Sequence, residues 1–116
     1  MSKDLSSAFA KLLAAADGLP DVVETTSYGT PSLKVRKKFL CRVKDGATVV
    51  VMCPLEEKEM LIEAAPEFYF ETDHYKGWPA ILVRVHAIPA DELRLRVHRA
   101  WQMQAPKSLQ KAREKR

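Results

Sequence analysis

The chain has 116 residues, 47% of them hydrophobic and 29% charged, the balance of an ordinary globular protein rather than a disordered or membrane-embedded one. That length fits a single domain able to bury a core without disulfides or metals. The net charge of +4 resides in residues 107–116, KSLQKAREKR, so the rest of the chain is neutral overall and tight nonspecific binding of a polyanion is not expected of its body.

The first stretch, MSKDLSSAF, lacks the apolar run of a signal peptide, and no segment reaches transmembrane length, so a cytoplasmic, monomeric protein with no membrane contact is expected. Leu5, Ala8, Phe9, Leu12, Leu13 and Ala16 recur at helical spacing ahead of Gly18, which predicts a helix over 3–17. Residues 22–26 read as a short strand, and Tyr28 to Pro31 as a turn. Next comes KVRKKFLCRVK, residues 34–44, with six positive charges in eleven residues. Phe39, Cys41 and Val43 alternate with Leu40, Arg42 and Lys44, the pattern of a half-buried strand.

Asp45-Gly46 is a strong two-residue hairpin signal. With that turn Cys41 faces Val50, Thr48, Val50 and Met52 share the face of Phe39, Cys41 and Val43, and Val49 and Val51 lie beside Arg42 and Lys44. Cys53 then falls about 10 Å from Cys41 at roughly 3.4 Å per residue, beyond the reach of a disulfide, so two free thiols are expected. Arg36-Lys37 is poor chemistry for a tight primed turn, which leaves the register of residues 32–36 open.

Pro54 opens a helix over 55–65, with Glu56 and Glu57 in its first turn and Pro66 at its end. Phe68 to Phe70 and residues 80–88 read as two strands joined by DHYKGWP, where Lys76-Gly77 makes the turn. Pro89, Asp91 and Glu92 start a third helix over 90–104, with Leu93, Val97, Ala100 and Trp101 as its apolar stripe. The expected fold is α+β in two layers, an antiparallel sheet with helices on one face, in the order α, three or four strands, α, two strands, α. The domain covers 1–106, and 107–116 forms a basic C-terminal tail.

No glycine-rich phosphate loop, Cys-x-x-Cys, His-Glu-x-x-His or Gly-x-Ser-x-Gly motif occurs, so no catalytic residue, metal ligand or cofactor is assigned. His74, His86 and His98 fall on a loop, a strand and a helix. Two places carry binding chemistry. Lys34, Arg36, Lys37, Lys38, Arg42 and Lys44 can meet phosphates, and His74, Tyr75 and Lys76, beside Trp78, can add phosphate contacts and stacking. The bland alternatives are lysines that guard a sheet edge and aromatics that cover the end of the core.

SYGTP, KVRKKFLCRV, HYKGWPAILVRV, DEL and AWQMQAPKSL, in that order, resemble the MmcQ/YjbR-like family of small bacterial proteins from the first helix to about Leu109. The resemblance implies a two-layer α+β fold similar to type III secretion chaperones. It also implies a likeness to the double-wing DNA-binding domain of the phage transcription factor MotA, and it implies no catalytic site. Where other members have small residues, this chain places Arg36-Lys37. Three functions compete: a DNA-binding module with hairpins 34–52 and 68–86 as wings, a protein-interaction or chaperone-like module using an open sheet face at Val49 and Val51, and an enzyme of unknown type.

Overall fold

The computed structural model describes residues 5–114. Helix α1 spans Ser6–Ala15, so residues 3 and 4 of the expected helix lie outside the described residues. Six strands follow in chain order: β1 (Val22–Ser27), β2 (Thr30–Val35), β3 (Lys38–Val43), β4 (Thr48–Met52), β5 (Tyr69–Phe70) and β6 (Ala80–Arg84). Helix α2 (Leu55–Ala64) lies between β4 and β5, while α3 (Ala90–Gln104) and α4 (Lys107–Glu114) close the chain. The strands form one sheet in the order β1-β2-β3-β4-β6-β5, with every pairing antiparallel. This is the expected α+β architecture, with six strands where five or six were expected.

The core lies between the sheet and the helices. Leu33, Cys41, Val43, Val49, Val51 and Ile81 supply its sheet side, and Leu12, Val97 and Trp101 meet them from α1 and α3. Trp101 donates its indole N–H to the Pro20 carbonyl at 3.0 Å, which satisfies the one polar atom of that large buried ring. Leu109 of α4 is buried in the same cluster, so packing extends into the segment read as a tail.

The β3–β4 connection corrects the expected register. Lys44 donates its N–H to the Thr48 carbonyl at 2.8 Å, and Asp45 accepts the Ala47 N–H on its side chain at 2.9 Å. The loop is therefore three residues, Asp45 to Ala47, and Cys41 pairs with Val51, Arg42 with Val50 and Val43 with Val49. Because side chains alternate with period two, this one-residue shift reverses the faces of β4. Val49 and Val51 belong to the core, and Val50 stands beside Arg42 on the open face.

An irregularity between Leu33 and Lys34 pairs Leu33 with Cys41 but Lys34 with Phe39. Leu40 is the extra residue, and both Leu40 and Cys41 face the core. Such a bulge lets two consecutive residues point inward. The chain leaves the sheet after Arg84, earlier than the expected 88, because the Ala87 and Ile88 N–H groups turn back to the Arg84 carbonyl.

Candidate functional site

Two tight turns, neither with the usual sequence, shape the left half of the sheet. Tyr28 and Gly29, at φ 52° and 79°, join paired Ser27 and Thr30. Two positive φ values in a two-residue loop match the right-handed strand twist, a geometry that favours Asn-Gly and strains a tyrosine. Arg36, at φ 54°, and Lys37 join paired Val35 and Lys38. Arg36 is held from outside the hairpin. Its N–H reaches the Asp21 carbonyl at 3.3 Å, and its Nε reaches Asp21 Oδ2 at 2.9 Å.

The sheet separates the candidate basic residues. Arg36, Lys37 and Lys38 crowd the β2–β3 tip. Lys44 lies at the opposite end of β3, about 20 Å away at 3.4 Å per residue. Lys34 and Arg42 fall on the helix-free face, by their pairing with Phe39 and Ser32. The loop 71–79, carrying His74, Tyr75 and Lys76, leaves β5 and enters β6 at Ala80, opposite Met52, which is the same end as the β2–β3 tip. Three strand spacings, roughly 14 Å, separate the axes of these two hairpins.

On the open face Ser32, Arg42, Val50, Leu82 and Phe70 form one row across five strands. Above it opens a cleft of about 500 Å³ lined by Tyr28, Phe39, Arg42, Val50, Tyr75 and Trp78, among others. Arg42 Nη2 donates to the Tyr75 hydroxyl at 2.7 Å. Its Nη1 donates to Thr30 Oγ1 and to the Val43 carbonyl, both at 3.3 Å, and the Tyr28 ring lies 5.1 Å from its guanidinium carbon. All these partners are neutral. Tyr28 is 91% exposed and Trp78 63%, so two large aromatics face solvent at the rim.

The residue that shapes this rim carries no signature in the sequence. Lys58 is the buried residue of α2, and its ammonium donates to the Tyr75 carbonyl at 2.8 Å and the Trp78 carbonyl at 3.0 Å. It also pairs with Glu71 Oε1 at 2.8 Å. All three ammonium protons are thus used within loop 71–79, which adopts a 3-10 turn at Asp73–Tyr75 and a φ of 82° at Gly77. A second clamp joins α2 to α3, where Arg99 grips both Glu57 oxygens and holds that carboxyl below its ordinary range.

Nucleophilic chemistry finds no support at the two thiols. Cys41 and Cys53 are free and buried; burial pushes Cys41 up to about 12 and Cys53 to about 11. Among the described residues, no group of three or more His, Cys, Asp or Glu is placed to hold a metal ion, and no helix is long and apolar enough to cross a membrane.

The comparisons with known proteins agree with this fold. Protein DR2400 of Deinococcus radiodurans, known from a crystal structure, superposes with a TM-score of 0.72 at 20% identity, over 92% of this chain and 85% of that one. Uncharacterized protein Rv2570 of Mycobacterium tuberculosis and Uncharacterized protein Mb2600 of Mycobacterium bovis are each 46% identical over 55 residues. That stretch is 47% of this chain, and it spans 43% of the length of those relatives. The YjbR family model matches residues 17–103, from the end of α1 almost to the end of α3 and through the whole sheet, and the chain belongs to the YjbR family.

Proposed function

We propose that the protein is a DNA-binding module whose contacts are the two hairpin tips at one end of the sheet. The observation that supports this reading is topological. In the antiparallel order, the Arg36–Lys38 turn and the strand ends that carry loop 71–79 lie at the same end of the sheet. Their hairpin axes are roughly 14 Å apart, near the width of a major groove at about 12 Å, while His74 and Tyr75 of that loop turn over the open face. Lys37, Lys38, His74 and Lys76 are all exposed. Arg36 contributes less charge than its position suggests, because Asp21 pairs with it. Tyr75 serves as a support here, since its hydroxyl is engaged by Arg42. Lys44, at the far end of β3, stands apart from this contact.

Phosphate contacts release counterions, so affinity for duplex DNA should fall with salt at a log–log slope of about −0.9 per phosphate neutralised. Replacing Lys37, Lys38 and Lys76 together with glutamine is expected to lower the affinity and flatten the slope by roughly two to three units. Exposed lysines seldom carry stability, so the melting temperature should hold. Duplex binding at several salt concentrations, for parent and triple variant, makes the test. Equal affinities and equal slopes would remove the tips from any DNA contact and return the open sheet face as the partner surface.

A further inference from the structure

We propose that the open-face cleft is a binding site for a small aromatic monocarboxylate, with its carboxylate on Arg42 and its ring against Tyr28 and Trp78. The Arg42 guanidinium is the charged group of the cleft. It has five N–H donors, and three are used, on Thr30, Val43 and Tyr75. Nε–H and one Nη2 proton have no partner among the described residues. A guanidinium with two donors to spare is a fork shaped for a carboxylate.

No residue lining the cleft is acidic, and Arg42 belongs to none of the ion pairs among the described residues. The site thus presents one uncompensated positive charge over a floor of Val50 and Ala80. That favours a monoanion; a phosphate dianion would find a single permanent cation.

Size and rim complete the match. About 500 Å³ suits one ring system with a short substituent rather than a run of nucleotides. Exposed tyrosine and tryptophan side chains beside an apolar floor offer the flat surfaces on which an aromatic ring packs. Tyr28 is held at φ 52° in a turn that asparagine would occupy with less strain. A strained, solvent-facing aromatic at the mouth of a cleft is a feature that binding sites retain. His74 and Tyr75 line the cleft but Lys37, Lys38 and Lys76 do not, so replacing those three lysines tests the DNA contact without altering this site.

The test uses the full chain, 15N-labelled, titrated with 2-naphthoate and with its neutral isostere 2-naphthamide. Naphthoate should shift the Trp78 indole resonance and leave that of buried Trp101, bonded to Pro20, in place. Naphthamide should bind about tenfold more weakly, the loss expected when a charge-assisted fork is removed. Arg42→Gln should weaken naphthoate to the level of naphthamide and leave naphthamide unchanged; Arg42→Lys, which keeps the charge but loses the fork, should fall between.

Tyr28→Ala removes an exposed side chain, so it guards against an unfolded Arg42 variant, and should weaken both probes about threefold. Naphthoate that moves no cleft resonance at millimolar concentration would overturn the proposal, as would equal binding of the two probes. Oligo(dT) that displaces naphthoate and binds the same resonances more tightly would also overturn it, making the cleft a nucleic-acid surface.

Discussion

Lys58 shows how one buried charge can set the shape of a site it does not line. Its ammonium is matched by two carbonyls and the Glu71 carboxylate, so the desolvation cost is offset only while all three partners stay in place. Lys58→Met should therefore destabilise the fold by about 1–3 kcal/mol, the cost of leaving buried carbonyls without a donor, since the Glu71 side chain is 35% exposed and keeps its own solvation. It should also free the loop that holds Tyr75 and Trp78. Urea denaturation would read the first effect and amide exchange across 71–79 the second; an unchanged midpoint would mean that the loop is held by other contacts. In the sequence PLEEKEMLIEAA this lysine looks like a solvated charge, because its partners lie 13 to 20 residues away and no local pattern names them. The two cysteines are legible by contrast as free thiols, although the pairing of Cys41 with Val51 puts Cys53 one residue nearer along the strand than expected. With Cys41 pushed to about 12 and Cys53 to about 11 by burial, almost no thiolate exists at pH 8, since only the thiolate attacks. Both should react with a thiol reagent at the rate of structural opening in the native protein and rapidly in denaturant. Fast native labelling of Cys41 would contradict its place in the core.

Elements divide by how locally they are encoded. The bounds of helix α3 are legible, because Pro89 just before it, two acidic residues in its first turn and a four-residue apolar stripe are all local to its sequence. The β3–β4 hairpin existed as expected, yet its register slipped by one, since the Asp45 side chain prefers to accept the Ala47 N–H and widens the loop beyond the Asp-Gly pair. That slip decided which valine faces the cleft. The true two-residue turns, Tyr28-Gly29 and Arg36-Lys37, were not legible as such. Their strain is compensated by distant partners, Arg42 beneath the Tyr28 ring and Asp21 beside Arg36. A prediction about the β1–β2 turn follows from comparing magnitudes. Relief of a left-handed tyrosine is worth about 1 kcal/mol, while an exposed cation–π contact is worth about 0.5–1 kcal/mol. Tyr28→Asn should thus leave stability unchanged or slightly raised in thermal unfolding while weakening naphthoate binding in the cleft. A clear loss of stability would show that Tyr28 is retained for folding rather than for a ligand.

Across the whole molecule, packing and charge end at different residues, and the C-terminal segment is where they part. Leu109 is buried against the core, and the Gln110 amide donates to the carbonyls of Gln102 at 2.9 Å and Ala105 at 2.8 Å. Those carbonyls belong to the end of α3, where backbone acceptors have no helical partner, so Gln110 acts as a side-chain cap on another helix. Lys111 and Ala112 are exposed, and residues 111–116 hold four basic groups and one acid. The packed unit thus runs through Gln110, and most of the net charge lies beyond it. Removing residues 111–116 should leave the melting temperature within about a degree of the parent. Removing 107–116 should cost about 2–3 kcal/mol, from one buried leucine and the lost caps, and lower the melting temperature by roughly 10 °C. The same two truncations separate the tail from the tips in DNA binding. Loss of 111–116 should reduce affinity at low salt, as any polyanion contact would. The effect of the Lys37, Lys38 and Lys76 replacements should persist undiminished in that background, as expected for independent contacts. If the shorter truncation abolishes all salt-dependent binding, the tail is the DNA contact, and the paired tips at the end of the sheet serve some other purpose.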